Sequence, residues 1–129
     1  MDAIPALVTE KSISVFEKHH VYNKAELYSR AEIYYESYIK ALNIEARTMI
    51  EMANKKFIPA VIKFTKNLAD SINAVKVAVP EANISAQTVL LTESSELLSK
   101  AKEASIHLQD VMCEAAKISE TEEKAKYFR

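Results

Sequence analysis

Apolar and small side chains recur through the middle of the chain at Leu27, Ala31, Tyr34, Tyr38, Leu42, Ala46, Met49, Ala53, Phe57, Val61, Phe64, Leu68, Ile72, Val75 and Val79. Fourteen steps cover the separation of 52 positions between Leu27 and Val79, about 3.7 residues per step, which is the period of one face of an α-helix. Asn23-Lys24-Ala25-Glu26 opens this stretch with the spacing of a capping box, an N-cap side chain followed three residues later by a glutamate that reaches back. No stop signal intervenes before Pro80. A continuous helix over residues 24–79 would span roughly 80 Å. Pro59 tests that expectation, because it deprives the Lys55 carbonyl of its donor at a cost of about 3 kcal/mol in a helix interior. A fresh helix starting at Pro59 would have Ile58 as its N-cap, a poor choice, and nothing upstream resembles a C-cap glycine. The pattern therefore predicts one kinked, continuous helix.

After the short connection "PEANI", Ser85 stands where it can cap a second helix. Leu90, Leu97, Ala104, Val111 and Ile118 then fall seven apart, flanked by Leu91, Leu98 and Met112, with Ala101, Leu108 and Ala115 completing the stripe. A loop of about five residues between two helices favours an antiparallel hairpin. Ser119-Glu120-Thr121-Glu122 repeats the capping-box spacing, and "EEKAKYFR" begins a third helix with Tyr127 and Phe128 at its edge. Near the other end, "TEKSISVFEKHH" predicts two to three turns capped by Thr9, with Ile13 and Phe16 inward. The expected fold is all-α: a long kinked helix, an antiparallel second helix, and short flanking helices. Residues 1–22 form a leading segment and residues 23–129 a hairpin domain that looks truncated at its C-terminus. A second helix over residues 86–118 reaches only the rear of the first, roughly residues 47–79. The front, with Leu27, Tyr34, Tyr35, Tyr38, Ile39 and Leu42, is left to pack on something outside this sequence or on a second copy.

Composition narrows the function. The chain has no glycine, where average usage would supply about nine, so phosphate-cradling loops and tight left-handed turns lack their usual material. The 17 basic and 18 acidic residues nearly cancel, which gives no bulk attraction to nucleic acid. The lone Cys113 excludes an internal disulfide and paired-thiol metal ligation. No apolar run approaches the roughly 18 to 20 residues that cross a bilayer, and no signal-peptide pattern precedes the first helix. A cytoplasmic protein is expected.

The candidate chemistry is thin. Glu45 and Glu51 are six residues apart, about 240° around a helix, and do not converge. Glu17-Lys18-His19-His20 contains one Glu-x-x-His motif, but a carboxylate-bridged metal bundle needs two. Around His107, Glu103 and Glu114 have the wrong spacing for the second. His19 and His20 read more simply as residues closing a helix C-terminus. Cys113, beside Met112, reads as a small buried hydrophobe, and His107 lies on another face from it. Lys55, Lys56, Lys63 and Lys66 form a basic strip without interleaved aromatics, which is the pattern of a wet helix face. Ala46, Met49, Ala53, Phe57 and Val61 are expected to be a packing face, so that Met49→Asp or Val61→Asp would unfold the segment and Glu45→Gln would not. These residues define no catalytic, cofactor-binding or metal site. From them alone the chain is a helical interaction module, with a metal-binding bundle a distant alternative.

"SRAEIYYESYIKALNIEARTMIEMANKKFIPAVIKFTKNLA" resembles the C-terminal helical region of type III glutamine synthetases, in which "NIEA" and "IPAV" recur at this separation. The lead-in "DAIPALVTEKSISVFEKH" with "VYNKAEL" fits the same region, closely over residues 2–70 and more loosely, as pattern and length, over residues 85–129. The resemblance implies a parent ligase that joins ammonia to glutamate with ATP and Mg or Mn ions through a γ-glutamyl phosphate. Its ligand-binding motifs lie in a catalytic core upstream and match no position of this chain. The segment is then expected to be structural, its partners that core and further copies of the enzyme, associating through the helical face near Tyr34, Tyr35 and Tyr38. No nucleic acid or membrane partner is implied. Chains of this family continue beyond the "YF" helix, where this sequence stops at Arg129.

Overall fold

A computed structural model describes residues 3–129, and the described residues contain helices and no strands. In order they are α1 (Ile4–Leu7), α2 (Glu10–Lys18), α3 (Lys24–Met52), a π-helical turn (Ala53–Phe57), α4 (Ile58–Ala78), α5 (Ser85–Lys117) and α6 (Thr121–Tyr127). The all-α class follows from the 3.6-residue periodicity, and its boundaries follow from the caps. Thr9 accepts from the Ser12 amide at 3.3 Å and starts α2. Asn23 and Glu26 form the expected reciprocal box, with the Glu26 amide donating to Asn23 Oδ1 at 2.9 Å and the Asn23 amide to Glu26 Oε2 at 2.8 Å. Two caps differ from expectation. Asn83 Oδ1, not Ser85, accepts the Ser85 amide at 3.0 Å ahead of α5. Glu120, one residue after Ser119, caps α6 by accepting the Glu123 amide at 3.0 Å.

The end of α2 shows how a chain without glycine closes a helix. His19 is the C-cap and His20 takes the left-handed conformation at φ 52°. The Val21 amide donates to the Phe16 carbonyl and the His20 amide to the Glu17 carbonyl, each at 3.0 Å. This is the Schellman pairing, ordinarily closed by glycine because a Cβ is unfavourable there. Glu17 adds a second tie across the turn, accepting the Lys24 amide at 3.1 Å.

The long helix passes Pro59 without a break. Pro59 lies at the start of α4 and the preceding turn widens, the Ile58 amide donating to the Ala53 carbonyl five residues back. The widened turn also absorbs the drift of the inward line. Ile50, Asn54, Ile58, Val61, Thr65, Leu68, Ile72 and Val75 form the partly buried line, spaced by fours up to Ile58 and by mixed threes and fours beyond it, with Ala53 and Ala69 partly buried beside it. This line sits one residue away from the expected face before Val61. Met49 is 61% exposed and Phe57 58% exposed, so neither is a core residue of this chain.

The chain divides into two compact units, one made of the residues up to Ala46 together with Val111–Arg129, the other of Arg47–Asp110. In the first unit Leu27, Ala31, Tyr35 and Ile39 are buried along one line of α3, and Ala125 of α6 packs on Tyr35 and Ile39 with Ile4, Tyr38 and Phe128 around them. The front of the long helix therefore finds its cover within the chain, correcting the expectation that it has none. The small Ala125, fully buried, lets the seven-residue α6 approach closely. In the second unit the end of α3, the π turn and α4 run antiparallel to α5: Ile50 and Ala53 lie with Ser105 and Leu108, and Val61 with Leu98. The inward line of α5 is Gln87, Leu91, Ser94, Leu98, Ser105 and Leu108, one step round from the expected stripe, which leaves Leu90 and Leu97 exposed.

His20→Gly is expected to raise stability by about 1 kcal/mol, since glycine carries no Cβ penalty at this φ. Asn23→Ala is expected to lower it by about 1 kcal/mol through loss of the cap. Urea denaturation of the two variants checks both signs.

Candidate functional site

The residues singled out for chemistry do not converge. Glu45 is exposed on α3. Glu51, also exposed, pairs with Lys55 at 2.6 Å one turn later, and that hydrogen bond, followed by the lysine's charge, holds its carboxyl below the usual range. Glu17 is occupied in capping α3 and His20 in closing α2, so the Glu-x-x-His motif is used for connection. His107 and Glu103 are exposed on α5, and Glu114 pairs with Lys117 at 2.6 Å. Among the described residues no three His, Cys, Asp or Glu side chains are gathered as a metal site. Cys113 is exposed, contrary to the buried position expected for it, because Met112 and Ala115 take the inward side of that turn. The basic strip is interrupted by the Lys55–Glu51 pair, while Lys56, Lys63 and Lys66 remain exposed.

The tyrosines separate by environment. Tyr34 is 48% exposed, Tyr35 only 6%, and Tyr38 is half-buried against the same cluster. The three do not form one open face; only Tyr34 is available. Burial, and then the charge of Glu122, pushes the Tyr35 phenol above its ordinary value near 10. A depression of ≈ 460 Å³ opens beside it, lined among others by Tyr28, Glu32, Tyr35, Glu120 and Glu122. Its carboxylates are partly engaged: Glu122 pairs with Lys126 at 2.7 Å and Glu120 caps α6. At the N-terminal end of α3, Tyr22 is held between Phe16, with ring centroids 5.7 Å apart, and the Arg30 guanidinium, 4.1 Å above its ring.

One arrangement escaped sequence reasoning. Asn54, inside the π turn, donates to the Ile50 carbonyl at 3.0 Å and to Ser105 Oγ at 3.1 Å, and accepts from Lys102 Nζ at 2.8 Å. Ser105 is the buried polar residue of the hairpin. This cross-helix network ties the two helices in one register, as a polar residue at a seam position does in coiled coils. The available signal was Asn54 falling among apolar inward positions, visible only once the phase of the π turn is known.

These features describe an all-helical chain in which Thr9, Glu17, Asn23, Glu26, Asn54 and Glu120 serve caps, turns and register. The chain belongs to the glutamine synthetase C-terminal domain family, whose model matches residues 1–76. It is 28% identical over 71 residues to a glutamine synthetase of Butyrivibrio fibrisolvens, covering 55% of this chain and 10% of that protein. It is 25% identical over 74 residues to the type-3 glutamine synthetase of Dictyostelium discoideum, covering 57% of this chain and 10% of that protein. The chain thus spans about a tenth of the length of the curated relatives it matches. No solved structure matches it. Among the described residues no helix is long and apolar enough to cross a membrane.

Tyr35 gives a pH test of the first unit. Its folded pKa lies above the unfolded value, so the folded chain retains a proton that the unfolded chain has lost above pH 10. Its contribution to stability is present below the ordinary phenol value and is lost as pH rises through the folded value. In an ultraviolet phenolate titration one of the tyrosines is expected to ionise after the others, and Tyr35→Phe to remove that last step. Ionisation of Tyr35 together with the exposed tyrosines would contradict its burial.

Proposed function

We propose that this chain is the C-terminal helical appendage of a type III glutamine synthetase, and that it serves assembly rather than chemistry. The observation that carries this reading is the family match over residues 1–76. The name of the Dictyostelium relative supports the type. The parent enzyme would form glutamine from glutamate and ammonia with ATP and divalent metal, in the cytoplasm. ATP and the metal do not fit this segment. The sequence has no glycine for a phosphate loop, and the described residues gather no metal-ligand set. Both belong to the catalytic core of the parent, which is the first partner of this chain; further copies of the enzyme are the second. Since Tyr35 and Tyr38 are taken up in the first unit, Tyr34 is the member of the tyrosine group left for an external contact.

An antibody against this chain, applied to an extract of its source, tests the assignment. A band far larger than 14.5 kDa that co-fractionates with ATP-dependent glutamine formation is expected. A band at the mass of this chain, separate from that activity, would overturn the ligase reading in favour of a stand-alone interaction module. In the full-length enzyme, deletion of the segment is expected to reduce the mass of the assembly while the core still binds ATP. Loss of ATP binding with assembly intact would sink the structural role.

A further inference from the structure

The second unit, Arg47–Asp110, buries no apolar side chain; its one buried residue is Ser105. Its larger apolar groups lie instead on an outer seam. Phe57 and Phe64 stand on one helix, 58% and 48% exposed, and Leu90 and Leu97 on the other, 49% and 63% exposed. Within each pair the spacing is seven residues, so each helix carries two adjacent apolar lines, one facing its hairpin partner and one facing out. Between the helices this outer face opens a groove of ≈ 430 Å³ lined by Phe57, Val61, Phe64, Leu97, Leu98 and Ala101. A smaller hollow of ≈ 190 Å³ continues it beside Met49, Ala53 and Ala104. A helix with two such lines belongs in a bundle with more than one neighbour.

We infer that this face binds a second copy of the same hairpin, the two packing face to face as a four-helix bundle. The flanking charges select that occupant. The residue preceding each phenylalanine is a lysine, Lys56 and Lys63; Glu96 precedes Leu97, and Glu103 stands seven residues on, before Ala104. The Asn54–Ser105 hydrogen bond sets the antiparallel register. Counting away from it along both helices brings Lys63 level with Glu96 and Lys56 level with Glu103. In a two-fold arrangement whose axis runs along the hairpin, each helix lies against the other kind of helix from the second copy at the same height. Lys63 then meets Glu96 of the second copy, Lys56 meets Glu103, and the mirror pairs form by symmetry. The ion pairs within the chain, among the described residues, leave these four side chains out. The lysines that do pair within a helix, such as Lys55, do so with a glutamate one turn away, and no such neighbour flanks this seam on its own helix at Lys63. The face lies wholly within the hairpin and involves none of the tyrosines.

Sedimentation equilibrium on the 129-residue chain tests this, with circular dichroism to confirm helicity. A dimer is expected, weakened about a hundredfold by Leu97→Glu with helicity retained, because Leu97 is exposed in the single chain. Lys63→Glu alone and Glu96→Lys alone are each expected to weaken the dimer. The double reversal is expected to restore it, as only the paired arrangement requires. A chain monomeric up to about 1 mM, a dimer indifferent to both Leu97→Glu and Phe64→Glu, or a double reversal no better than the singles would each overturn the inference. The outcome is independent of the ligase assignment, since it reads self-association of this chain alone.

Discussion

Pro59 has no amide hydrogen, and the geometry of the long helix turns on that missing donor. An α-helix carried through Pro59 unchanged would leave the Lys55 carbonyl without its bond and press the proline ring against it. The chain answers with one wider turn over Ala53–Phe57, in which Ile58 donates to Ala53. The inward line departs from the expected face by one residue up to Ile58 and rejoins it at Val61. The expected line runs from Met49 through Ala53 and Phe57 to Val61; the observed one runs from Ile50 through Asn54 and Ile58 to Val61 and Thr65. On that line Asn54 is the side chain bonded to Ser105. Proline, π turn and cross-helix network adjoin on one short stretch of the long helix.

The first unit solves a different problem with short elements. Helices of four, nine and seven residues have little intrinsic stability. They are held by caps and by packing on the line of Leu27, Ala31, Tyr35 and Ile39. Alanines do much of the fitting: Ala31, Ala115 and Ala125 are buried, and small side chains let backbones come close where a glycine-free chain has no smaller residue. The same shortage places His20 in a left-handed conformation. Thr9, Glu17, Asn23 and Glu26 then close the two connections that flank α2 with side-chain bonds rather than backbone freedom.

What was legible in the sequence was local. The cap at Thr9 and the box at Asn23 rest on two or three neighbouring residues and need no tertiary information, and both formed. The all-helical class and the continuous passage through Pro59 followed from periodicity and from the absence of stop signals. The phase of the apolar stripe was not legible, because both helices of the hairpin carry apolar residues on two adjacent lines. Choosing Leu90 and Leu97 over Leu91 and Leu98 is a choice between two equally good heptads. The same ambiguity put Met49 and Phe57 in the core and Cys113 among buried residues. The cover supplied by α6 was missed because a helix of seven residues ending at Tyr127 reads as a remnant, yet its Ala125 packs beside Tyr35. Caps are set by chemistry within reach of a few bonds, whereas stripe phase is set by whichever surface the partner presents.

The two lines of the hairpin differ in kind as well as in position. The inner one includes Asn54, Thr65, Gln87, Ser94 and Ser105 among its aliphatic residues, while the outer one presents Phe57, Phe64, Leu90 and Leu97. A net hydrogen bond contributes about 1 kcal/mol, and covering a Leu or Phe side chain about 1.5–3 kcal/mol. Covering Phe57, Phe64, Leu90 and Leu97 would therefore add a large hydrophobic contribution that the single chain leaves unrealised. The polar inner seam selects a register, since apolar alternatives that slip by one step would strand Asn54 and Ser105 without partners. It cannot by itself make that register very stable. A hairpin built this way holds its shape for a partner and gains stability when the partner arrives, so folding and association are linked through one surface. Polar residues inside and aromatic residues outside would be a fault in a free-standing domain; in an element that completes its core by assembly they are what the physics requires.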